Sequence, residues 1–247
     1  MEGLARLGND VTVWGRNAVI GTAFEELYAY DQAMDWATQF PTAAALDIGS
    51  SSTADVMTSG TGAWQVRITG LDGNYKIVTE TINLNGQTKL TGVQTFLRVF
   101  GADVIAAGTG LVNAGDIHII RTGTGGTWAS GVPPTLTSAA CKILATWGAS
   151  WNGMFTTPAG MGYDLKAILG SCRAQACTLI LEELELAPSS KSKRVVWCAD
   201  LQPDCFQFDL GPFKISFKEK TDIRMRILAA GASGIAHCQM VLKRSTP

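Results

Sequence analysis

Between residues 60 and 121, apolar side chains recur at every second position and are broken by tight-turn residues, a pattern that short β-strands satisfy and helices do not. Trp64, Val66 and Ile68 alternate with Gln65, Arg67 and Thr69, the period of a strand with one buried face. Gly70-Leu71-Asp72-Gly73-Asn74 supplies residues that tolerate positive φ. The β-branched and aromatic run at 75–84 then returns as a second strand, closed by Asn85-Gly86. Further strands are expected at 95–100, 103–107 and 116–121, and beyond them at 140–147, 153–156, 163–169, 176–186, 195–199 and 206–210. Phe213, Ile215 and Phe217 alternate with Lys214, Ser216 and Lys218. After Glu219-Lys220-Thr221, Ile223, Met225 and Ile227 alternate with Arg224 and Arg226, which reads as a closing hairpin followed by a strand at 235–243.

Composition agrees with this reading. In 247 residues there are 27 glycines and only 17% charged side chains, a balance that favours short strands joined by turns. The expected class is therefore all-β: an antiparallel β-sandwich of jelly-roll type, with an N-terminal arm. The glycine-rich segment 122–131, stiffened by Pro133 and Pro134, is the expected boundary between β-modules at 46–131 and 132–247, unless the two form one continuous sandwich.

Residues 1–45 lack clean alternation and carry Trp14, Phe24, Tyr28, Tyr30, Trp36 and Phe40. Helical spacing of Phe24, Leu27 and Tyr28 is compatible with a short helix between Gly21 and Pro41. The segment reads as an arm, lying either on its own domain or on a neighbouring subunit. Its aromatic residues, with Trp128 of the glycine-rich loop, are the candidate interface side chains, because aromatic rings give large contact area at small entropic cost.

Several short stretches occur together: Gly60-Thr61-Gly62-Ala63, Thr69-Gly70-Leu71-Asp72-Gly73-Asn74-Tyr75, Thr79-Glu80-Thr81, Leu84-Asn85-Gly86 and Phe96-Leu97-Arg98-Val99. With Ser50-Ser51-Ser52-Thr53-Ala54-Asp55, Asn113-Ala114-Gly115-Asp116-Ile117, Thr157-Pro158-Ala159-Gly160 and Glu219-Lys220-Thr221-Asp222-Ile223, they span most of the chain. Strung together they resemble a recurrent segment of virion structural proteins of tailed bacteriophages, especially those of aquatic hosts. The resemblance implies a β-fold and a place in a virion, and it carries over no functional residues. The function expected from it is that of a capsid decoration or cement protein made in the bacterial cytoplasm. Its partners would be the major capsid protein and itself, as a homotrimer. The alternative is a tail or fibre component that contacts a host surface glycan.

Other classes are disfavoured by the residues themselves. A formal net charge of −1 leaves no basic footprint for a phosphate backbone, so nucleic acid is not an expected partner. Lys191, Lys193 and Arg194, beside Pro188-Ser189-Ser190, read as a solvated loop tip. No signal peptide is apparent, and Asn152, Pro158 and several glycines interrupt the uncharged run 143–163, so no membrane helix is expected. His118 and His237 are the only histidines and read as strand residues. Glu183 and Glu185 read as one wet strand face, and Ser150 and Ser233 lack a nucleophile elbow. Six cysteines without metal-ligand spacing are expected as free thiols. No catalytic residue, cofactor or metal site is assigned, and the chain is not expected to be an enzyme.

Overall fold

The β-branched and aromatic runs form strands. In chain order these are β1 (Asp10–Ile20) and β2 (Glu25–Glu26), then, after the one-turn helix α1 (Trp36–Gln39), β3 (Leu46–Ser50), β4 (Ala63–Leu71), β5 (Ile77–Asn83), β6 (Leu90–Thr91), β7 (Arg98–Ala107), β8 (Ile117–Arg121) and β9 (Ala139–Ile143). There follow β10 (Met154–Thr156), β11 (Tyr163–Arg173), β12 (Cys177–Glu185), β13 (Ser192–Leu201), β14 (Cys205–Asp209), β15 (Ile215–Phe217), β16 (Thr221–Ala229) and β17 (Gly234–Arg244). The computed structural model describes residues 10–27, 36–173, 176–185, 192–203, 205–211, 214–229, 231 and 234–245. They fall into two units: 36–150 in one, and 10–27 with 151–245 in the other. Every named strand pairing is antiparallel, as expected of an all-β sandwich protein.

In the first unit the β4–β5 hairpin has the expected place, with Gln65 opposite Asn83 and Leu71 opposite Ile77. Its turn is organised by Asp72, whose Oδ1 accepts the amides of Asn74 at 2.8 Å and Lys76 at 2.9 Å. Tyr75, not a glycine, takes the left-handed conformation, at φ 60°. Gly70 belongs to the strand instead; a Cβ there would lie 2.1 Å from the carbonyl oxygen of Arg98. β4 pairs on its other side with β7, a single strand covering the two short ones expected at 95–100 and 103–107. The second sheet runs β6-β3-β8-β9. Leu46, Ile48, Val66, Ile68, Ile117, Ile119 and Ile143 are fully buried, each contributing about 1.5–3 kcal/mol by leaving water.

The expected boundary at 131/132 falls inside this first unit, and the chain divides after Ser150. The glycine-rich loop is packed, not a linker. Ala129 bridges to Val132, and Gly131 at φ 74° sits where a Cβ would lie 1.7 Å from the carbonyl oxygen of Ser50. The Trp128 ring lies where a Cβ on Gly49 would approach it to 2.9 Å.

The second unit is a jelly roll. One sheet runs β1-β17-β11-β14 and the other β10-β16-β12-β13. Taken in chain order, the strand positions alternate between the sheets except at the β12–β13 hairpin, the two-Greek-key order of that fold. Two positions are each built from two pieces. β2 and β10 lie in succession along β16, opposite Arg226–Ile227 and Asp222–Arg224. β14 and β15 likewise lie in succession along β11. Leu165, Ile168, Leu179, Leu181, Ile223, Met225, Ile227, Met240 and Leu242 form the buried layer.

Three expectations are corrected here. Residues 10–27 are not an arm: β1 pairs along its length with β17, and β2 pairs with β16. Alternation is hidden because two inward positions of β1 hold Gly15 and Asn17 instead of large apolar residues. A Cβ on Gly15 would lie 2.7 Å from the Cα of Gly153. Asn17 is buried and donates through Nδ2 to Glu25 Oε2 at 3.1 Å and to the Glu26 carbonyl at 3.3 Å. The helical spacing of Phe24 and Leu27 is also misleading, since β2 stands there; the short helix between Gly21 and Pro41 is α1, at Trp36–Gln39. The closing hairpin is a corner between sheets: β15 pairs with β11 and β16 with β12, and Lys220 turns the chain at φ 56°.

Candidate functional site

Of the seven aromatic residues that the sequence singled out, the structure describes five. Trp36 and Phe40 are buried in the first unit, where the Arg98 guanidinium lies 5.4 Å from the Trp36 ring and donates to the Phe40 carbonyl at 3.2 Å. Trp128 is half-buried against Gly49. Phe24 is half-buried under the Arg226 guanidinium, 5.8 Å from its ring. Tyr28 and Tyr30 lie outside the described residues. Among the described five, only Trp14 is exposed, at 39%.

The motifs that carry the phage resemblance converge, but on a structural knot. Asp55 is fully buried, and its carboxylate accepts the amides of Ala63 at 2.7 Å, Ala114 at 2.8 Å and Gly115 at 2.9 Å, together with the Ser50 hydroxyl at 2.5 Å. Gly62 is required beside it, since a Cβ there would lie 2.1 Å from Asp55 Oδ1. Asn113 extends the knot by donating to the carbonyls of Gly115 at 2.7 Å and Leu144 at 2.8 Å. Three separate loops are thereby fixed to one carboxylate. Its oxygens are saturated with donors, which suits architecture and leaves no base for chemistry.

The candidate carboxylates of β12 are committed in the same way. Glu182 is buried and pairs with Arg224 at 2.8 Å, Arg226 at 3.2 Å and Lys193 at 3.5 Å. Both arginines also reach the buried Glu26 of β2, at 2.8 and 3.2 Å. Burial pushes Glu182 up, but the three cations outweigh it and hold the carboxyl below its ordinary range. Glu183 does not line a wet face: it is 4% exposed and ion-paired to Arg194 of the neighbouring strand. The side chain of Glu185 lies outside the described ones.

His118 is buried, and desolvation, with Lys142 nearby, lowers its pKa to about 4, so it is neutral at physiological pH. The six cysteines are free thiols; Cys198 and Cys205 are exposed and the other four buried. Burial, with Cys177 alongside, pushes the Cys172 thiol up to about 12, the opposite of what a nucleophile needs. Among the described residues no three His, Cys, Asp or Glu side chains gather as metal ligands, and no helix is long and apolar enough to cross a membrane.

A different constellation emerges around Trp14. Its ring lies 5.5 Å from that of Trp151, and Trp151 meets the His237 ring edge-on at 5.9 Å. On the outward side of the β1-β17-β11 sheet, Arg16 stands opposite His237 and His237 opposite Ser171. Trp14 stands opposite Gln239 in the next row, and the exposed Arg173 ends β11. Desolvation, then Arg16 and Arg173, lowers the His237 pKa. Sequence reasoning named Trp14 but missed Arg16, Trp151 and Arg173. The outward set of β1 would have been readable had its inward glycine and asparagine not concealed the strand; the arrival of Trp151 is tertiary and has no local signal.

No protein-family model and no curated protein sequence matches the chain. Among solved structures it is similar to the infectious bursal disease virus VP2 subviral particle, at 10% identity over 99% of this chain and 73% of that one, with a TM-score of 0.21. It is also similar to the Gt strain of that virus, at 9% identity over 100% and 79% with a TM-score of 0.21, and to the Gx strain, at 12% over 99% and 77% with 0.18. Scores this low carry no argument, and the jelly-roll assignment rests on strand order alone.

Proposed function

We propose that this chain is a non-enzymatic structural protein of a tailed-phage virion, and in finer terms a decoration or cement protein that bridges major capsid subunits as a homotrimer. One observation carries the reading: a complete β-unit is inserted into a jelly roll, so that one chain offers two independently built β-surfaces. Bridging requires two such surfaces, whereas catalysis requires available acid–base groups. The buried carboxylates and His118 are instead committed to structure. The near-neutral charge fits a protein partner better than the packaged genome. An interface of the standard area, about 1,600 Å² in total, repeated over a symmetric shell lets a trimer bind more firmly than one contact would. The test is the copy number per virion, by quantitative mass spectrometry of purified particles together with imaging. Hundreds of copies on the head support the cement reading, and heads lacking the protein should then break at lower temperature. A few to a few tens, found at the tail, replace it with the tail or fibre component.

A further inference from the structure

The loops at the Asp55 end of the first unit, 51–62, 84–88, 108–115 and 129–132, carry no exposed charge. Backbone bonds hold them together: the amides of Gly108 and Gly110 donate to Gly62 at 2.8 Å and Thr61 at 2.7 Å, and that of Met57 to Leu84 at 3.0 Å. Gly131 packs against the carbonyl of Ser50. Asp55 is the one charged residue in these loops and is buried in its knot; at their border Asp116 pairs with Lys142 at 3.7 Å. The chain enters the unit at the opposite end of β7, where Phe40 meets Arg98. It leaves with Gly148 bonded to Val104 and then Ser150 to Ala102, running away from this end.

Apolar and strained residues gather on the same loops. Leu111 is 81% exposed, Ile105 43% and Val132 39%. A bulge turns Ile105 out, since Gln65 and Val66 of β4 stand opposite Ala106 and Val104 and leave it over. Thr58, Leu111 and Ser130 hold left-handed backbone at φ 67°, 64° and 49°, as does Thr146 at 68°, whose amide donates to Asn113 at 2.9 Å. Leu111 gains no burial in return for that strain, and an Asp or Asn would hold its turn at less cost.

We propose that this end is the contact between copies of the chain, like ends meeting about the symmetry axis of the oligomer. Loss of charge around exposed aliphatic side chains is the composition of an interface core. The occupant follows from charge complementarity. The whole chain carries 20 basic and 21 acidic residues, so an uncharged end leaves no charge buried and unpaired when it meets the same end of another copy. The loops amount to about 30 residues, against the roughly 20–30 a side of a standard interface. The inference rests on the homotrimer reading for the number of copies and is separate from the place of the protein in a particle.

Sedimentation velocity of the full-length protein, from about 1 to 100 μM, gives the mass and the association constant. It is run beside Leu111→Asp, Ile105→Thr, Val93→Asp at the other end of the unit, and a chain lacking residues 1–9, which keeps β1. The unaltered chain, Val93→Asp and the shortened chain should associate equally. Leu111→Asp should weaken association at least about tenfold, and its dissociated chain should melt no lower, because Asp tolerates the left-handed turn. Ile105→Thr keeps the β-branching and should weaken association in the same direction. A dimer that Leu111→Asp dissociates supports the face and fails the homotrimer. A chain monomeric throughout overturns the face, even where hundreds of copies are found on the head. Unchanged association in both Leu111→Asp and Ile105→Thr overturns it, and so does association lost with residues 1–9 or weakened as much by Val93→Asp.

Discussion

The amide of Gly153 donates to the carbonyl of Leu27 at 2.8 Å, although the whole first unit lies between them in the chain. Met225 ties both: its amide donates to Gly153 at 2.8 Å, and its carbonyl accepts from Leu27 at 3.3 Å. The second strand position of the jelly roll is thus closed where the chain leaves it and returns. Loop-closure cost grows only slowly with length, so a strand interrupted in this way tolerates a long insertion.

Replacing residues 30–150 with a short glycine-serine linker should accordingly leave a jelly roll that unfolds cooperatively, read by circular dichroism during heating. Deleting residues 1–45 should do the reverse, because it removes β1 and β2 and takes Trp36 and Phe40 from the first core. A cooperative transition in that deletion, or none in the linker variant, would contradict the split-strand account.

Asp55→Ala should unfasten the first unit. It leaves the amides of Ala63, Ala114 and Gly115 without their acceptor, a loss of about 3–5 kcal/mol in urea unfolding. Hydrogen exchange gives the sharper check: those three amides should lose protection first. Protection unchanged at all three would mean that the knot does not hold the loops.

Strand periodicity was readable wherever inward positions are apolar. Trp64, Val66 and Ile68 placed β4, and Ile223, Met225 and Ile227 placed β16, at once. Partners were readable only where a short turn forces a hairpin, as at Asp72. Across Lys220 the same alternation continues although the chain changes sheets, and periodicity carries no record of that. β1 escaped because Gly15 and Asn17 fill close approaches that no single-sequence pattern announces. The Trp14–Trp151 contact joins residues on either side of an inserted unit, so it lay beyond any local reading.

Thiol reactivity should divide by burial. Cys198 and Cys205 are expected to react with an aromatic disulfide reagent in the native protein, while Cys141, Cys172, Cys177 and Cys238 react only after unfolding. Counting released chromophore with and without denaturant checks this. More than two fast native equivalents would show that the buried cluster opens.

Acid should weaken the fold in two windows, an upper one set by histidines and a lower one set by carboxylates. His118 has a folded pKa of about 4 against an ordinary 6.5, so between those values the unfolded chain binds the proton and the folded one resists it. Its contribution is therefore fully present above pH 6.5 and is lost as pH falls towards 4. Glu182 is held below its ordinary 4.5 by Arg224, Arg226 and Lys193 despite its burial, so its contribution is present above pH 4.5 and disappears only below that, as pH falls through the folded value. Urea unfolding at pH 7, 5 and 3.5, followed by hydrogen exchange in each unit, should show the first unit weakening below pH 6.5 through His118 and the second through His237, whose pKa is also lowered from 6.5. His118→Gln should flatten the upper window of the first unit and leave the lower window of the second intact. Arg224→Gln should do the opposite and cost about 3 kcal/mol at neutral pH, because Glu26 and Glu182 stay buried with a shared partner gone. If both units instead lose stability along one slope confined below pH 4, the histidines are not the groups that set the upper window.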